Sequence, residues 1–123
     1  FRSYDFLPRV AAYLLDRKTT KSEELPIGDI PDAPHALWWV DNFGNCKTTL
    51  LKNELPPGNP IMTSFGEIRY FERLKDVPDG TTALIIGSSG INTNRFIELV
   101  VQGASASKLL NAQPGDTLFS STL

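Results

Sequence analysis

The segment "DNFGN", residues 41–45, places an acid, an aromatic ring and an amide close together in the chain. A bend through the glycine can bring the carboxylate of Asp41, the ring of Phe43 and the carboxamide of Asn45 into one small volume. Such a set suits a flat heterocycle beside a cation, because the ring stacks, the amide pairs and the carboxylate neutralises charge. A plain hairpin turn, in which Asp and Asn bond their own backbone, explains these residues equally well.

Two segments of small polar residues are further candidates for ligand contact. In "GSSG", residues 87–90, glycine permits positive φ and the serines supply hydroxyls for either turn closure or a ligand. "GASAS", residues 103–107, precedes a predicted helix whose free amides can hold a carboxylate or phosphate. Tight packing and helix capping are the alternative explanation of the second segment.

The single histidine and the single cysteine are interpreted as structural residues. His35 lies next to prolines and has no nucleophile placed with it, which favours a surface position over a catalytic base. Cys46 precedes Lys47, which can lower a thiol pKa, but burial in a strand is the favoured explanation. Zinc, hydrolase and phosphate-loop motifs are missing from the sequence, so no metal or cofactor is predicted.

Charge and apolar patterning argue against several function classes. With 12 basic and 14 acidic residues the net charge is -2, which disfavours nucleic acid as a partner. No apolar run approaches the roughly 18 residues of a membrane span, and no signal segment opens the chain. One cysteine fits a reducing compartment, so we expect a cytoplasmic protein without membrane contact.

The elements that must position the candidate residues begin with an amphipathic helix over residues 3–15, followed by a proline-containing linker. The chain opens at Phe1 without an initiator methionine, and we expect it to be a fragment. Residues 1–33 are therefore predicted to be the closing helix and linker of an upstream N-terminal domain. Residues 34–123 are predicted to form a C-terminal ligand-recognition domain.

In that second region the pattern changes to strands and turns. The predicted strands are "ALWWV" and "CKTTLL" around the opening turn, then "SFGEIRYFERL", "TTALIIG", "RFIELVVQ" and "TLFSS". "SSG" is predicted to turn the chain between two of them, and a short helix is predicted in "ASASKLLN". The fold class is mainly β: a small antiparallel β-barrel with one short late helix.

Three motifs resemble a known family when taken in order: "WWVDNFGNCKTTL", "DVPDGTTALIIGSSG" and "RFIELVVQGASASKLLNAQPGD". They are similar to the C-terminal domain of the S-adenosyl-L-methionine (SAM) hydroxide adenosyltransferases, or SAM hydrolases, which are related to the SAM-dependent fluorinase and chlorinase. The resemblance covers about residues 34–120.

The resemblance implies a function shared between domains and subunits. In that family a homotrimer binds SAM between the N-terminal domain of one subunit and the C-terminal β-barrel of its neighbour. Water or halide attacks the 5' carbon, releasing methionine. The family's catalytic residues lie in the N-terminal domain, so none is expected in this chain, while the parent protein is expected to be an enzyme with SAM as substrate. The alternative is a stand-alone adenosine- or SAM-binding or assembly module without catalysis.

The resemblance also implies roles for individual residues. Asp41 is expected to bind the methionine amino group, Asn45 the adenine edge, and Phe43 is expected to pack against the ligand. Ser88 and the backbone of Ser89 are expected to bind the methionine carboxylate. The backbone of Gln102 and Ala104 is expected to line the adenine. The resemblance does not identify the aromatic residue that stacks on adenine. Tyr70 or Phe71 can fill the position, but counting residues back from the motif "DVP" gives Leu74.

Overall fold

The computed structural model describes residues 2–24, 26, 28 and 30–120. The chain divides into two compact units, Phe1–Pro31 and Asp32–Leu123. Each unit has its own internal contacts.

The first unit contains a π-helical turn, Arg2–Phe6, that continues into helix α1, Leu7–Leu15, so the predicted helix over residues 3–15 is confirmed. Pro8 lies in the first turn of α1, where its missing N–H costs no hydrogen bond. No described residue of this helix is buried within the structure. No described helix is long and apolar enough to cross a membrane.

The predicted linker has no helix or strand at its described positions between residues 18 and 34. Leu25, Ile27 and Asp29 lie outside the described residues. The assignment of the first unit to an upstream domain stays a prediction.

Six strands and one helix form the described part of the second unit. Their bounds are β1 Leu37–Val40, β2 Cys46–Leu51, β3 Ile61–Thr63, β4 Gly66–Phe71, β5 Thr82–Ile91, β6 Asn94–Val101 and α2 Ala106–Leu110. The strands make one sheet in the order β1-β2-β6-β5-β4-β3. The sheet curls into a half-barrel, and the predicted mainly β fold with one short late helix is confirmed.

One strand pair departs from the predicted antiparallel arrangement. β4 and β5 pair in parallel, with Arg69 opposite Ala83 and Phe71 opposite Ile85. The connection over residues 72–81 contains a short 3-10 turn and returns the chain, so that β5 begins at the same end of the sheet as β4. A tight hairpin cannot make this return, because parallel strands need a longer crossover.

The predicted turn at "SSG" is wrong, because β5 continues through it to Ile91. Ile86 pairs with Ile97 and Gly90 with Arg95, so β5 has two more residues than β6 between these pairs. We call this irregular stretch, residues 87–89, the bulge. The chain reverses later, where Asn92 takes a positive φ of 54°, a conformation that asparagine tolerates.

The predicted final strand "TLFSS" is also wrong over its described residues. Thr117 makes a single bridge to Ala36. The N–H of Leu118 donates to the carbonyl of His35 (2.8 Å), and its carbonyl accepts from the N–H of Ser64 (2.9 Å). The stretch over residues 115–118 is thus hydrogen-bonded to both edges of the sheet, with three backbone bonds on the β1 side, but it is not a regular strand. Ser121 lies outside the described residues.

The core follows a two-residue period along β2. Cys46, Thr48 and Leu50 are buried there, while the alternate side chains are half-buried. Buried leucines and isoleucines of the neighbouring strands complete this core, among them Leu37, Leu84, Ile97 and Leu99. The ends of β1 and β2 are thereby held rigidly on either side of the "DNFGN" turn.

Candidate functional site

The turn between β1 and β2 is closed by its own backbone. The N–H of Asp41 donates to the carbonyl of Asn45 (3.0 Å), and the N–H of Gly44 donates back to the carbonyl of Asp41 (2.9 Å). Gly44 takes a φ of 85°, which glycine adopts without strain. The Oδ1 of Asp41 accepts from the N–H groups of Phe43 (2.9 Å) and Asn45 (3.0 Å). The local bonding expected of a plain hairpin turn is therefore present.

The side chains of the turn keep binding capacity beyond that local bonding. The amide nitrogen of Asn45 donates to Oδ2 of Asp41 at 3.2 Å. Because an ionised carboxylate only accepts, this contact fixes which end of the Asn45 amide faces Asp41. One N–H and the amide oxygen remain, and these are the two groups that read an adenine edge by a bidentate pair.

The carboxylate of Asp41 is held in its charged form. Burial raises its pKa, but the hydrogen bonds from Asn45 and Phe43 and the positive charge of Lys47 outweigh burial, and the pKa lies below its ordinary value. The Nζ of Lys47 lies 3.4 Å from Oδ2. A negative charge is thus fixed at the base of the turn, where it can neutralise a ligand cation.

A cleft of about 700 Å³ opens beside the turn. Its volume lies within the range of about 300 to 1,000 Å³ that is usual for small-molecule sites. The lining residues come from the turn, from the connection after β4 and from the segment after β6: Asp41, Phe43, Asn45, Leu74, Val101, Gln102, Gly103, Ala104 and Ser105. Five of the seven predicted substrate-binding residues therefore lie on one cleft, namely Asp41, Phe43, Asn45, Gln102 and Ala104.

The turn is locked against the start of α2. The carbonyl of Gly44 accepts from the N–H of Ser107 at 3.0 Å. A Cβ added to Gly44 would lie 2.0 Å from the hydroxyl of Ser105, so any other residue would force Ser105 to shift. That hydroxyl also caps α2 by accepting from the N–H of Lys108 (3.2 Å). Helix capping, one of the two explanations of "GASAS", is thus confirmed, and the same segment forms one wall of the cleft.

The predicted carboxylate-binding serines lie on the bulge of β5 and do not line this cleft. Ser88 is exposed and Ser89 half-buried. The N–H of Ser88 donates inward to Oε1 of Glu98 (3.3 Å), and its carbonyl accepts from the guanidinium of Arg95 (2.7 Å). The hydroxyl of Ser88 has no hydrogen-bond partner within the part of the chain that the structure describes, so it is available to a ligand.

An ion pair that the sequence reasoning missed connects the turn to the bulge. The Nζ of Lys47 lies 2.7 Å from Oε1 of Glu98 and 3.4 Å from Oδ2 of Asp41. Only 6% of the Glu98 side chain is exposed. The signal available in the sequence was the lone acid in the apolar run "RFIELVV", because a buried carboxylate requires a cation or several donors.

The three candidates for the adenine-stacking position lie in different surroundings. Tyr70 packs against the main core, and Phe71 packs against the smaller cluster around Val77 and Val100. Leu74, the residue given by strict counting, lines the cleft. An aliphatic side chain is therefore what the cleft offers at this point of its wall.

The interpretation of Cys46 as a buried residue is confirmed. Its side chain is fully buried, and burial, together with the charges of Asp41 and Asp116, raises the pKa of the thiol to about 11. His35 is half-buried beside the strand edge, with Nε2 at 3.6 Å from a carboxylate oxygen of Glu54 and its ring edge-on to Phe119. Neither residue lines the cleft.

Comparison with protein families gives one match over most of the chain. The model of the SAM hydroxide adenosyltransferase C-terminal domain matches residues 36–119. The matched range contains the turn, the bulge and every residue of the cleft. No protein of curated function matches the chain.

Two solved structures share the fold. An uncharacterized conserved protein from Thermotoga maritima superimposes with a TM-score of 0.65 at 21% identity, over 94% of this chain and 50% of that one. A conserved hypothetical protein from Thermus thermophilus gives a TM-score of 0.61 at 24% identity, over 94% of this chain and 51% of that one. The chain thus spans about half the length of these two structures.

Proposed function

Because the chain belongs to the SAM hydroxide adenosyltransferase C-terminal domain family, we propose that it is the SAM-recognition part of an enzyme that splits SAM with water into adenosine and methionine. The observation that carries this proposal is the meeting of Asp41, Phe43 and Asn45 with the 102–104 segment on one cleft. A carboxylate, an aromatic face and a half-free amide match the ammonium, the rings and the adenine edge of SAM.

Each group has a defined task in this proposal. The charged carboxylate of Asp41 receives the methionine ammonium, and the free donor and acceptor of Asn45 pair with adenine. The exposed ring of Phe43 packs against the ligand, while the backbone at Gln102 and Ala104 contacts the adenine. The hydroxyl of Ser88 and the backbone of Ser89 are assigned to the methionine carboxylate. The ligand then spans from the turn to the bulge.

The reaction we propose is a displacement at the 5' carbon. Water attacks that carbon, the bond to the sulfonium sulfur breaks with its electron pair going to sulfur, and the attacking water loses a proton. Methionine leaves as a neutral thioether. Excluding solvent from the cleft favours this step, since the sulfonium charge disappears as the bond breaks.

The residues that activate water are proposed to come from an N-terminal domain, and the site is proposed to form between subunits of a homotrimer. Large exposed aromatics near the turn support a covered surface here: Trp38 is 53% exposed, Trp39 56% and Phe43 80%. Contiguous exposed apolar side chains commonly mark interfaces. The cleft is therefore one wall of the proposed site, and the partner subunit supplies the opposite wall.

Calorimetric titration of the full-length protein with SAM and with adenosine tests the adenine role of Asn45. Asn45→Ala is expected to weaken binding of both ligands by about 1 to 3 kcal/mol, because it leaves a buried base edge unpaired. Asn42→Ala is the matched control, since it removes an exposed amide from the same turn but not from the cleft. Equal affinities of wild type and Asn45→Ala would remove the adenine assignment.

Product analysis separates the proposed reaction from its alternatives. Incubation of the full-length protein with SAM in isotopically labelled water is expected to give adenosine that carries the label at the 5' oxygen. A 5'-halogenated nucleoside would instead identify halide as the nucleophile. Binding of SAM without any product would favour the second candidate, a non-catalytic adenosine- or SAM-binding module.

A further inference from the structure

The turn at residues 41–45 and the bulge of β5, both assigned to the ligand, are linked by a nearly buried network of charges. Lys47 and Glu98 lie opposite each other on β2 and β6. Lys47 contacts Asp41 on one side and Glu98 on the other, at 3.4 and 2.7 Å. Glu98 in turn accepts the N–H of Ser88 at 3.3 Å. A continuous path of polar contacts therefore runs from the carboxylate of the turn to the backbone of the bulge.

The bulge is shaped to receive the Glu98 carboxylate. A Cβ added to Gly87 would lie 2.3 Å from Oε1 of Glu98 and 2.6 Å from its Cγ. Gly87 therefore leaves the space that the glutamate side chain fills. Arg95 holds the outer side of the same bulge through the carbonyl of Ser88. The bulge is consequently fixed from both sides.

Stability alone does not explain why this ion pair lies in the sheet. Side-chain exposure is 16% for Lys47 and 6% for Glu98, so both charges lose most of their hydration. Replacing such a pair by apolar residues of similar size is often neutral or stabilising, whereas a pair can specify one geometry. A geometric role is the explanation that also accounts for the contacts to Asp41 and Ser88.

We propose that Lys47 and Glu98 are positioning residues that fix the distance between the Asp41 carboxylate and the Ser88 bulge, and so select ligands that carry an amino-acid group. This inference rests on the proposed SAM-binding function. The ammonium and carboxylate of the methionine part reach the two ends of the network. Adenosine engages only the turn and the 102–104 segment, and the turn is held by hydrogen bonds of its own.

The test compares SAM with adenosine in the full-length protein. The variant Lys47→Met/Glu98→Met replaces both charges by apolar side chains of similar size, so neither member of the pair is left as an unpaired charge. Asp41 loses its contact with Lys47 but keeps its three hydrogen bonds within the turn. We expect SAM affinity to fall by about tenfold or more while adenosine affinity stays within about twofold of wild type. The matched control is Lys52→Met/Glu72→Met, which removes an exposed pair with a 4.0 Å separation. That control is expected to bind both ligands as wild type does.

Hydrogen exchange of the unliganded protein gives a second readout that does not depend on binding. In Lys47→Met/Glu98→Met the Ser88 amide is expected to exchange faster, while the Asn45 amide, bonded within its own turn, keeps its protection. Both results together support the positioning role.

Four outcomes would overturn it. Unchanged SAM affinity in the double variant, or an equal loss for SAM and adenosine, contradicts the positioning role while leaving SAM binding by the wild type intact. Unchanged exchange at Ser88 contradicts the contact on which the role depends. If the wild type binds neither ligand, the proposed function itself fails, and this inference fails with it.

Discussion

The Asp41 carboxylate accepts three hydrogen bonds within its turn, and these bonds favour its ionised form. Asp41→Asn would turn an N–H donor toward the amide nitrogen of Asn45 and the ammonium of Lys47. We expect a loss of about 1 to 3 kcal/mol in the free energy of unfolding near pH 7. Urea denaturation of both proteins measures this difference.

The pH dependence of that difference follows from the lowered pKa of Asp41. In the unfolded chain an aspartate titrates near about 3.9. The stabilisation is complete above that value and is lost as pH falls through the lower pKa of the folded state. The difference in the free energy of unfolding between wild type and Asp41→Asn should therefore become smaller below about pH 4. A difference in unfolding free energy that grows in acid would contradict the lowered pKa of Asp41. Asp79→Asn, at an exposed turn position, serves as the control.

Cys46 provides a second prediction at this scale. The thiol is fully buried and its pKa is raised to about 11, so its thiolate fraction at neutral pH is very small. We expect a chromogenic disulfide reagent to label native protein at least about 100-fold more slowly than urea-unfolded protein. Equal rates in the two states would show that the thiol is accessible and would contradict the buried position.

Residue types predicted part of the candidate site but not its connections. Asp41, Phe43 and Asn45 are close in sequence, so one tight turn is sufficient to bring them together. The contact of Lys47 with Glu98 depends on the register of β2 against β6, which a local pattern does not contain. Neighbouring residue types therefore predicted which side chains the turn brings together. The pairing of β2 with β6 determines which ion pair lies beside the turn.

At the level of elements, the contact between the turn and α2 predicts a large effect at Gly44. Gly44→Ala combines an unfavourable left-handed φ with a Cβ placed 2.0 Å from the Ser105 hydroxyl. We expect a loss of about 2 to 5 kcal/mol in the free energy of unfolding, from backbone strain of about 1 to 2 and overpacking of about 1 to 3. Thermal or urea unfolding measures the loss.

Gly80→Ala separates the two causes. Gly80 has a φ of 70°, but a Cβ there meets nothing within 4 Å, so only the backbone cost of about 1 to 2 kcal/mol applies. Gly44→Ala should therefore be the more destabilising of the two substitutions. Equal losses would mean that Ser105 moves aside at little cost and that the turn is not locked.

The elements themselves were predictable where the signal is local. The hairpin of β1 and β2 follows from two β-branched and aromatic runs around a glycine turn, and α2 follows from a serine cap before an apolar stretch. The continuation of β5 through "SSG" was not predictable, because glycine and serine permit a bulge as readily as a turn. The parallel pairing of β4 with β5 also depends on contacts distant in sequence.

For the whole molecule, the proposal assigns recognition of SAM to the half-barrel and its cleft, and catalysis to groups of a larger assembly. The chain covers about half of each of the two similar structures. The first unit exposes a row of apolar side chains along its helix, including Phe6, Leu14 and Leu15. A surface of this kind is commonly covered by another domain or subunit.

If the proposed site forms between subunits, hydrolysis must depend on assembly. We expect the specific activity of the full-length protein toward SAM to fall on dilution, because a separated subunit keeps only one wall of the cleft. The loss should occur over the concentration range in which light scattering shows the trimer dissociating. A chemically cross-linked trimer is the matched control and should keep its activity at the same dilution. This control excludes adsorption of the protein to the vessel as the cause of the lost activity. Specific activity that stays constant while the trimer dissociates would place the complete site within one subunit, and the exposed Trp38 and Trp39 would then need another explanation.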